Sequence, residues 1–141
     1  MNQDDINKHV IGFDYEGTPF RLLHYWWQTL SVDEYLQKPL NYLEIGVYQG
    51  LNLISVANSY ELYPDSKLIG IDPWTDYDEY PEYKDKQTNN FSIFTSNINK
   101  TPHKDKISYK RGFSNIEIPK LNNDYFDIIY IDDNHEPEFV L

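Results

Sequence analysis

The sequence predicts an α/β fold with a doubly wound parallel sheet, and three observations support this prediction. Four short apolar segments with the character of strands alternate with segments of helical periodicity. The run Ile128–Ile131 is continuously apolar, which is typical of a strand in a parallel sheet covered on both faces. Glu44, Asp72, Gly112 and Asp132 each fall at the end of a predicted strand, where such sheets bind ligands. The predicted architecture is Rossmann-like.

The predicted strands and helices alternate from residue 40 onward. Strands are expected at residues 41–45, 67–72, 107–110 and 127–131. Helices are expected at residues 51–60, 90–99 and 115–121, the last interrupted by Pro119. In the second helix, Phe91, Phe94 and Ile98 share one face. Right-handed crossovers between the strands then give a doubly wound sheet.

Residues 1–39 have a different pattern from the rest of the chain. Aromatic and aliphatic residues at 20–30 suit a helix with one buried face. Ser31 can cap a second short helix, with Glu34 in the capping-box position and Pro39 at its end. We therefore predict a single domain of 141 residues. A helical extension covers 1–39, and a Rossmann-like cofactor-binding region covers 40–141.

Composition and charge exclude several classes of partner. The formal net charge of −11 disfavours both nucleic acids and anionic membrane surfaces. The chain contains no cysteine, which excludes disulfides and thiolate metal sites. Its first residues are acidic and polar, unlike a signal peptide, and no apolar run reaches membrane-spanning length. The expectation is a cytoplasmic protein.

The segment after the first strand has the features of a cofactor-binding turn. Gly46 and Gly50 allow the backbone to approach a ligand without an intervening Cβ, and the following helix presents free N–H groups. Asp72 ends the second strand, where an acidic residue in nucleotide-type sites accepts hydrogen bonds from ribose hydroxyls. Together these residues predict a site for a small nucleotide-like cofactor.

Three segments occur in an order that is typical of one enzyme family: residues 43–50 (LEIGVYQG), 69–74 (IGIDPW) and 126–135 (FDIIYIDDNH). They resemble motifs of class I S-adenosylmethionine-dependent methyltransferases. The similarity is greatest to a small O-methyltransferase-like branch with a Glu-Ile-Gly-x-x-x-Gly turn and an Asp-Gly-Asp-His-like motif. The resemblance implies transfer of a methyl group from S-adenosylmethionine to a hydroxyl of a small molecule or sugar.

The resemblance also implies which residues bind the cofactor. Glu44, Gly46 and Gly50 would surround its methionine part and ribose edge, and Asp72 would hold the two ribose hydroxyls. Tyr48 lies in the same turn, where a dinucleotide site would need its middle glycine. The side chain would crowd a pyrophosphate, so NAD is the less favoured cofactor.

The adenine end of the cofactor is expected beside Pro73 and Trp74. Trp74 can either stack on the purine or pack in the core, and the sequence leaves both interpretations open. Phe113 stands where the family usually carries an acidic residue that recognises the adenine amino group. Backbone groups of Phe113 or Ser114 would then have to supply that recognition.

Asp132 and His135 are the candidate catalytic residues. A hydroxyl acceptor must lose its proton, either to a base or with the help of a divalent metal that lowers its pKa. By the resemblance, Asp132 could be a ligand of a metal such as Mg²⁺. The alternative for His135 is a loop histidine hydrogen-bonded to a carboxylate.

The resemblance covers the cofactor-binding half of the family fold, because residues 40–141 supply four of its seven strands. We therefore expect a truncated chain or a gene fragment, with an exposed apolar edge at the fourth strand. A homodimer through that edge is one expectation. The alternative function is a non-catalytic Rossmann-like module that associates with a partner through the open edge. A metal-dependent hydroxylase-like relative is a third, less favoured alternative.

Overall fold

The structure is a computed structural model that describes residue 12 and residues 38–59, 64–76 and 81–132. The helical extension predicted for residues 1–39 lies almost entirely outside these ranges, and so does His135.

Four parallel strands form the sheet: β1 (Asn41–Ile45), β2 (Lys67–Asp72), β3 (Ile107–Arg111) and β4 (Ile128–Ile131). Their order is β3-β2-β1-β4. In register, Leu43 of β1 lies opposite Ile69 of β2 and Ile129 of β4. The chain reverses its direction of travel across the sheet between β1 and β4, and such a switch point opens a crevice for ligands at the carboxyl ends of the strands.

Helices connect the strands on both faces. The α-helices are α1 (Leu51–Ser59), α2 (Gln87–Lys100) and α3 (Ser114–Glu117). Short 3-10 helices occupy Pro81–Tyr83, Lys104–Lys106 and Ile118–Lys120. The last of these contains Pro119, which lacks the N–H that α-helical bonding requires. The alternation of strands and helices confirms the predicted α/β class.

The element bounds agree closely with the sequence pattern, except at the start of α2. Strands β1 and β2 have the predicted bounds, whereas α2 begins at Gln87 rather than at residue 90. The N–H of Asn90 donates to the carbonyl of Lys86, so the first helical bond forms before the apolar residues begin. The first turn of α2 is polar, and hydrophobic periodicity cannot detect such a turn.

One face of the sheet packs tightly against α1 and α2. Its core includes Tyr42, Leu53, Trp74 and Phe94, each almost completely buried. The rings of Trp74 and Phe94 stack with centroids 4.6 Å apart, and the ring of Phe91 lies 5.0 Å from that of Trp74. This aromatic cluster confirms that Phe91 and Phe94 face the core, and it joins α2 to the loop after β2.

The opposite face is covered only in part by the described residues. Leu43, Ile45 and Ile71 are buried there against Leu121 and Phe126. On β4, however, Ile129 is 55% exposed and Ile131 is 46% exposed. The apolar run of β4 was expected to be covered on both faces. Among the described residues it is covered on one face only.

Candidate functional site

The carboxyl ends of the strands form a continuous rim. Backbone hydrogen bonds run from Asp132 to Ile45 at 2.7 Å, from Gly46 to Ile71 at 2.9 Å and from Gly112 to Asp72 at 3.1 Å. These bonds lie at or just beyond the last residue of each strand, so neighbouring strand ends stay in register. The structure therefore brings Glu44, Asp72, Gly112 and Asp132 to the carboxyl end of the sheet, as the sequence predicted.

The Asp72 carboxylate organises the loop that follows β1. Its Oδ2 accepts hydrogen bonds from the N–H groups of Val47 and Tyr48, both at 2.9 Å, and its Oδ1 accepts one from Trp74 N–H at 2.7 Å. Tyr48 and Trp74 have positive φ values of 55° and 43°, a backbone conformation that residues other than glycine rarely adopt. The carboxylate thus holds two strained positions in place, a role that the sequence did not predict.

The Asp72 carboxylate already has three hydrogen bonds in the structure, because both of its oxygens accept backbone N–H groups. The two oxygens of a carboxylate offer about four acceptor positions, so ribose hydroxyls would share them with the backbone. Binding of the ribose by Asp72 stays a prediction.

Helix α2 anchors the same loop through buried amides. Gln49 Nε2 donates to Asn90 Oδ1 at 3.1 Å, and Asn97 Nδ2 donates to the carbonyl of Gln49 at 3.0 Å. All three side chains are buried. Sequence reasoning missed them, although Asn90 and Asn97 are spaced four before and three after Phe94 and so share its face. Polar residues on an otherwise apolar helix face were the available signal.

Packing requires a glycine at position 50. Its φ is +87°, and a Cβ at this position would lie 2.6 Å from Cδ2 of Phe94. The predicted contact of Gly50 with the cofactor stays a prediction. Gly46 has a φ of +86°, which suits glycine, and its contact with the cofactor stays a prediction.

The residues expected around the adenine fall into two groups. Trp74 is 1% exposed and stacked on Phe94, and its Nε1 donates to the carbonyl of Tyr48 at 2.7 Å. Of its two interpretations, packing is the one that the structure shows. Pro73 and Ser114 are also buried, whereas Phe113 is 43% exposed. Of these four residues, Phe113 alone presents a largely accessible ring at the rim.

A polar cavity of about 300 Å³ opens beside the ends of β2 and β3. Its lining includes Thr75, Asp76, Gln87 and Arg111. The guanidinium carbon of Arg111 lies 4.3 Å from the ring centroid of Phe91, which fixes this cation at the cavity wall. The cavity offers donors and acceptors at the end of the sheet where the sequence predicts the adenine.

Glu44 is buried inside a small hydrogen-bonded cluster. Its side chain is 1% exposed, and Oε2 accepts hydrogen bonds from Tyr42 Oη and Asn52 Nδ2, both at 2.8 Å. Burial, with smaller contributions from the charges of Asp132 and Asp72, raises the pKa of Glu44 to about 8 against the opposing effect of the two hydrogen bonds. The same burial, with the Glu44 charge, raises the pKa of Tyr42 well above its usual value.

Asp132 is exposed at the end of β4, at the switch point of the sheet. Its charge helps to raise the pKa of Tyr130, after the larger effect of burial. Within residues 38–59, 64–76 and 81–132 there is no group of three or more His, Asp or Glu side chains that could hold a metal. The expected Mg²⁺ thus gains no support from the described residues, and the predicted role of His135 lies outside them.

Comparisons with known proteins agree with this fold. A family model described as a methyltransferase domain matches residues 43–141. The fold is similar to a cyclopropane-fatty-acyl-phospholipid synthase-like protein from Lactobacillus casei, with a TM-score of 0.50 and 15% identity over 92% of this chain. It is also similar to the SAH-bound Podospora anserina methyltransferase PaMTH1, with a TM-score of 0.50 and 14% identity over 94% of this chain. No curated protein matches the sequence.

These similarities are limited in extent. The chain spans 46% of the length of the Lactobacillus casei protein and 58% of PaMTH1. At such identities the two structures establish the fold alone.

Among the described residues the longest helix has 14 residues, and none is both long and apolar enough to cross a membrane.

Proposed function

Because the chain belongs to the methyltransferase-domain family, we propose that it transfers a methyl group from S-adenosylmethionine to a hydroxyl group of a small molecule or sugar. The observation that carries the proposal is the rim: Glu44, Asp72 and Asp132 lie at adjoining strand ends beside a loop held in place from three sides. Of the described groups that shift the pKa of Glu44, none is cationic. A ligand with a sulfonium and an ammonium group complements such a rim.

The residues at the rim fit this cofactor better at its methionine end than at its adenine end. Within the part of the chain that the structure describes, Asn52 Oδ1 is a buried acceptor without a hydrogen-bond partner, and an ammonium group is a donor that would satisfy it. At the other end, Trp74 is unavailable for stacking, so the accessible ring of Phe113 and the polar cavity beside β2 are the candidates for holding the adenine. Glu44, Gly46, Tyr48 and the Gly112–Ser114 turn complete the proposed site.

The chain contributes binding, orientation and proton removal to the proposed reaction. When bound, S-adenosylmethionine supplies an electrophilic methyl carbon. The loop after β1 is held by Asp72 and by buried amides of α2, so it can orient the cofactor without reorganising. Asp132 is exposed at the crevice and is positioned to accept the proton of an acceptor hydroxyl.

Calorimetry with S-adenosylhomocysteine tests the binding half of the proposal. We expect the wild-type chain to bind this product analogue, and Asp132→Asn to bind it with similar affinity. The variant should nevertheless lose methyl transfer to any hydroxyl acceptor that the wild type uses. Asp124→Asn is the matched control, because Asp124 is an exposed acid in a turn with a φ of 55°, a conformation that asparagine tolerates. If millimolar ligand gives no binding heat with the wild type, the proposed function is wrong.

A second candidate function is a binding module that associates through β4. The exposed side chains of Ile129 and Ile131 favour it, because an apolar strand at a sheet edge can pair with another chain. A homodimer is the simplest such assembly. Light scattering distinguishes the two candidates. The binding module requires an oligomer that Ile129→Lys dissociates. Methyl transfer requires ligand binding, whatever the oligomeric state of the chain. A cytoplasmic location and the absence of a nucleic-acid or membrane partner stay predictions from composition.

A further inference from the structure

Glu44 differs from the other acidic residues of the rim because its carboxyl group is enclosed. Its hydrogen-bond donors, Tyr42 Oη and Asn52 Nδ2, are both uncharged. Among the described residues no ion pair includes Glu44. An ionised carboxylate in such surroundings lacks the compensation that a buried charge requires.

Among the described residues, the polar and titratable groups facing Glu44 come from β1, α1, β2 and β4. Tyr42 lies on β1 and Asn52 on α1, while Asp72 ends β2 and Asp132 follows β4. Tyr130, on β4, also interacts electrostatically with Glu44. The acids in this set oppose ionisation of Glu44, and none of these described groups is a cation. Burial acts in the same direction, so the neutral acid is the favoured form in the free protein.

A cation at the rim would change this balance. The charges of Asp72 and Asp132 raise the pKa of Glu44. A positive charge placed among the three carboxyl groups would therefore lower that pKa. The ionised form of Glu44 then gains an attractive partner and the neutral form gains nothing. Ligand binding and loss of the proton must therefore be linked.

We propose that Glu44 is a neutral carboxylic acid in the free protein and releases its proton to solvent when a cationic ligand binds at the ends of β1, β2 and β4. In S-adenosylmethionine, which the proposed function makes the ligand, the sulfonium and ammonium groups supply the positive charge. The neutral thioether of S-adenosylhomocysteine carries one positive charge fewer. Glu44 thereby favours the methyl donor over the demethylated product.

Two measurements on the full chain test this inference. The first is calorimetry with S-adenosylmethionine and S-adenosylhomocysteine in phosphate and in Tris, whose different ionisation heats reveal the protons released. We expect nearly one proton released per S-adenosylmethionine at pH 7, fewer with S-adenosylhomocysteine, and none with Glu44→Gln. Affinity of the wild type for S-adenosylmethionine should rise about tenfold per pH unit below pH 8. Asp105→Asn, at an exposed acid far along the chain, should behave as the wild type.

The second measurement needs no ligand. In a chain with ¹³C-labelled glutamate carboxyl groups, the Glu44 signal, assigned by its loss in Glu44→Gln, should report a neutral acid at pH 7. Titration of that signal near pH 4.5 would overturn the inference whether or not a ligand binds. Binding of S-adenosylmethionine without proton release would also overturn it and would leave the proposed function intact. Absence of any binding would instead contradict the proposed function.

Discussion

The rim at the ends of β1 and β2 and the edge at β4 belong to one sheet, but they differ in how completely their groups are satisfied. At the rim, Asp72 accepts three backbone N–H groups and Glu44 is enclosed by two donors. At the edge, Ile129 and Ile131 leave about half of their surface exposed. The comparison teaches that, among the described residues, the carboxylates at the rim are held by hydrogen bonds while one face of β4 is left open.

Two of the rim's acids show the same contrast on a smaller scale. Asp72 receives its hydrogen bonds from three backbone N–H groups. Glu44 is enclosed by a tyrosine hydroxyl and an amide and feels the charges of two other acids. The environment, rather than the residue type, separates the carboxylate of Asp72, which holds a loop, from the enclosed acid of Glu44.

The largest expected effect is at Asp72. Asp72→Ala would leave three N–H donors without their acceptor, at a cost of about 1–3 kcal/mol for each buried donor. We expect a large loss in the free energy of unfolding, measured by urea denaturation. Asp76→Ala is the matched control, because Asp76 is exposed and accepts from Asp85 N–H at the longer distance of 3.2 Å. Equal losses in both variants would refute the organising role of Asp72.

Next in size is the effect of a side chain at Gly50. Gly50→Ala combines a positive φ with a Cβ 2.6 Å from Phe94 Cδ2, so we expect a loss of about 2–5 kcal/mol from backbone strain and overpacking. Gly12 has the same φ of +87° and no heavy atom within 4 Å of an added Cβ. Gly12→Ala should therefore show the backbone term alone, about 1–2 kcal/mol. Similar thermal unfolding curves for the two variants would show that the Phe94 ring moves away from the added Cβ without a loss of stability.

Glu44 should make stability depend on pH. Its pKa is raised from 4.5 to about 8 in the folded chain, so above pH 4.5 the unfolded chain ionises while the folded chain keeps the proton. The Glu44 contribution is fully present below pH 4.5 and is lost as pH rises to about 8, at up to about 1.4 kcal/mol per pH unit. Glu44→Gln should remove this dependence and become more stable than the wild type toward pH 8. Parallel pH profiles of the melting temperature would contradict this prediction.

The smallest effect is expected at the β4 edge. Ile129→Ala should change the free energy of unfolding by no more than about 0.5 kcal/mol, because the side chain is largely exposed. Its register partner Leu43 is 2% exposed, and Leu43→Ala should cost about 2–5 kcal/mol. A large loss for Ile129→Ala, dependent on protein concentration in denaturation experiments, would show that this edge is buried in an oligomer.

Several features of the site follow from short-range patterns that are legible in the sequence. The bounds of β1 and β2, the glycine turn and the placement of acids at strand ends depend on local hydrophobic runs and on residues with distinctive backbone preferences. The polar start of α2 and the partial exposure of β4 lack such a pattern. The start of α2 consists of polar residues that do not belong to an apolar face. The exposure of β4 depends on which distant segments pack on that strand.

The sequence by itself determined the class of fold, the order of strands and helices, and the end of the sheet where the acids and the glycine turn lie, because alternating periodicity and strand-end residues are properties of neighbouring positions. Only the tertiary structure decided what each residue does there. It directed Asp72 to the loop after β1, turned Trp74 into the core and enclosed Glu44 with Tyr42 and Asn52. Those outcomes depend on contacts between segments far apart in the chain, and hydrogen bonding and burial act through such contacts.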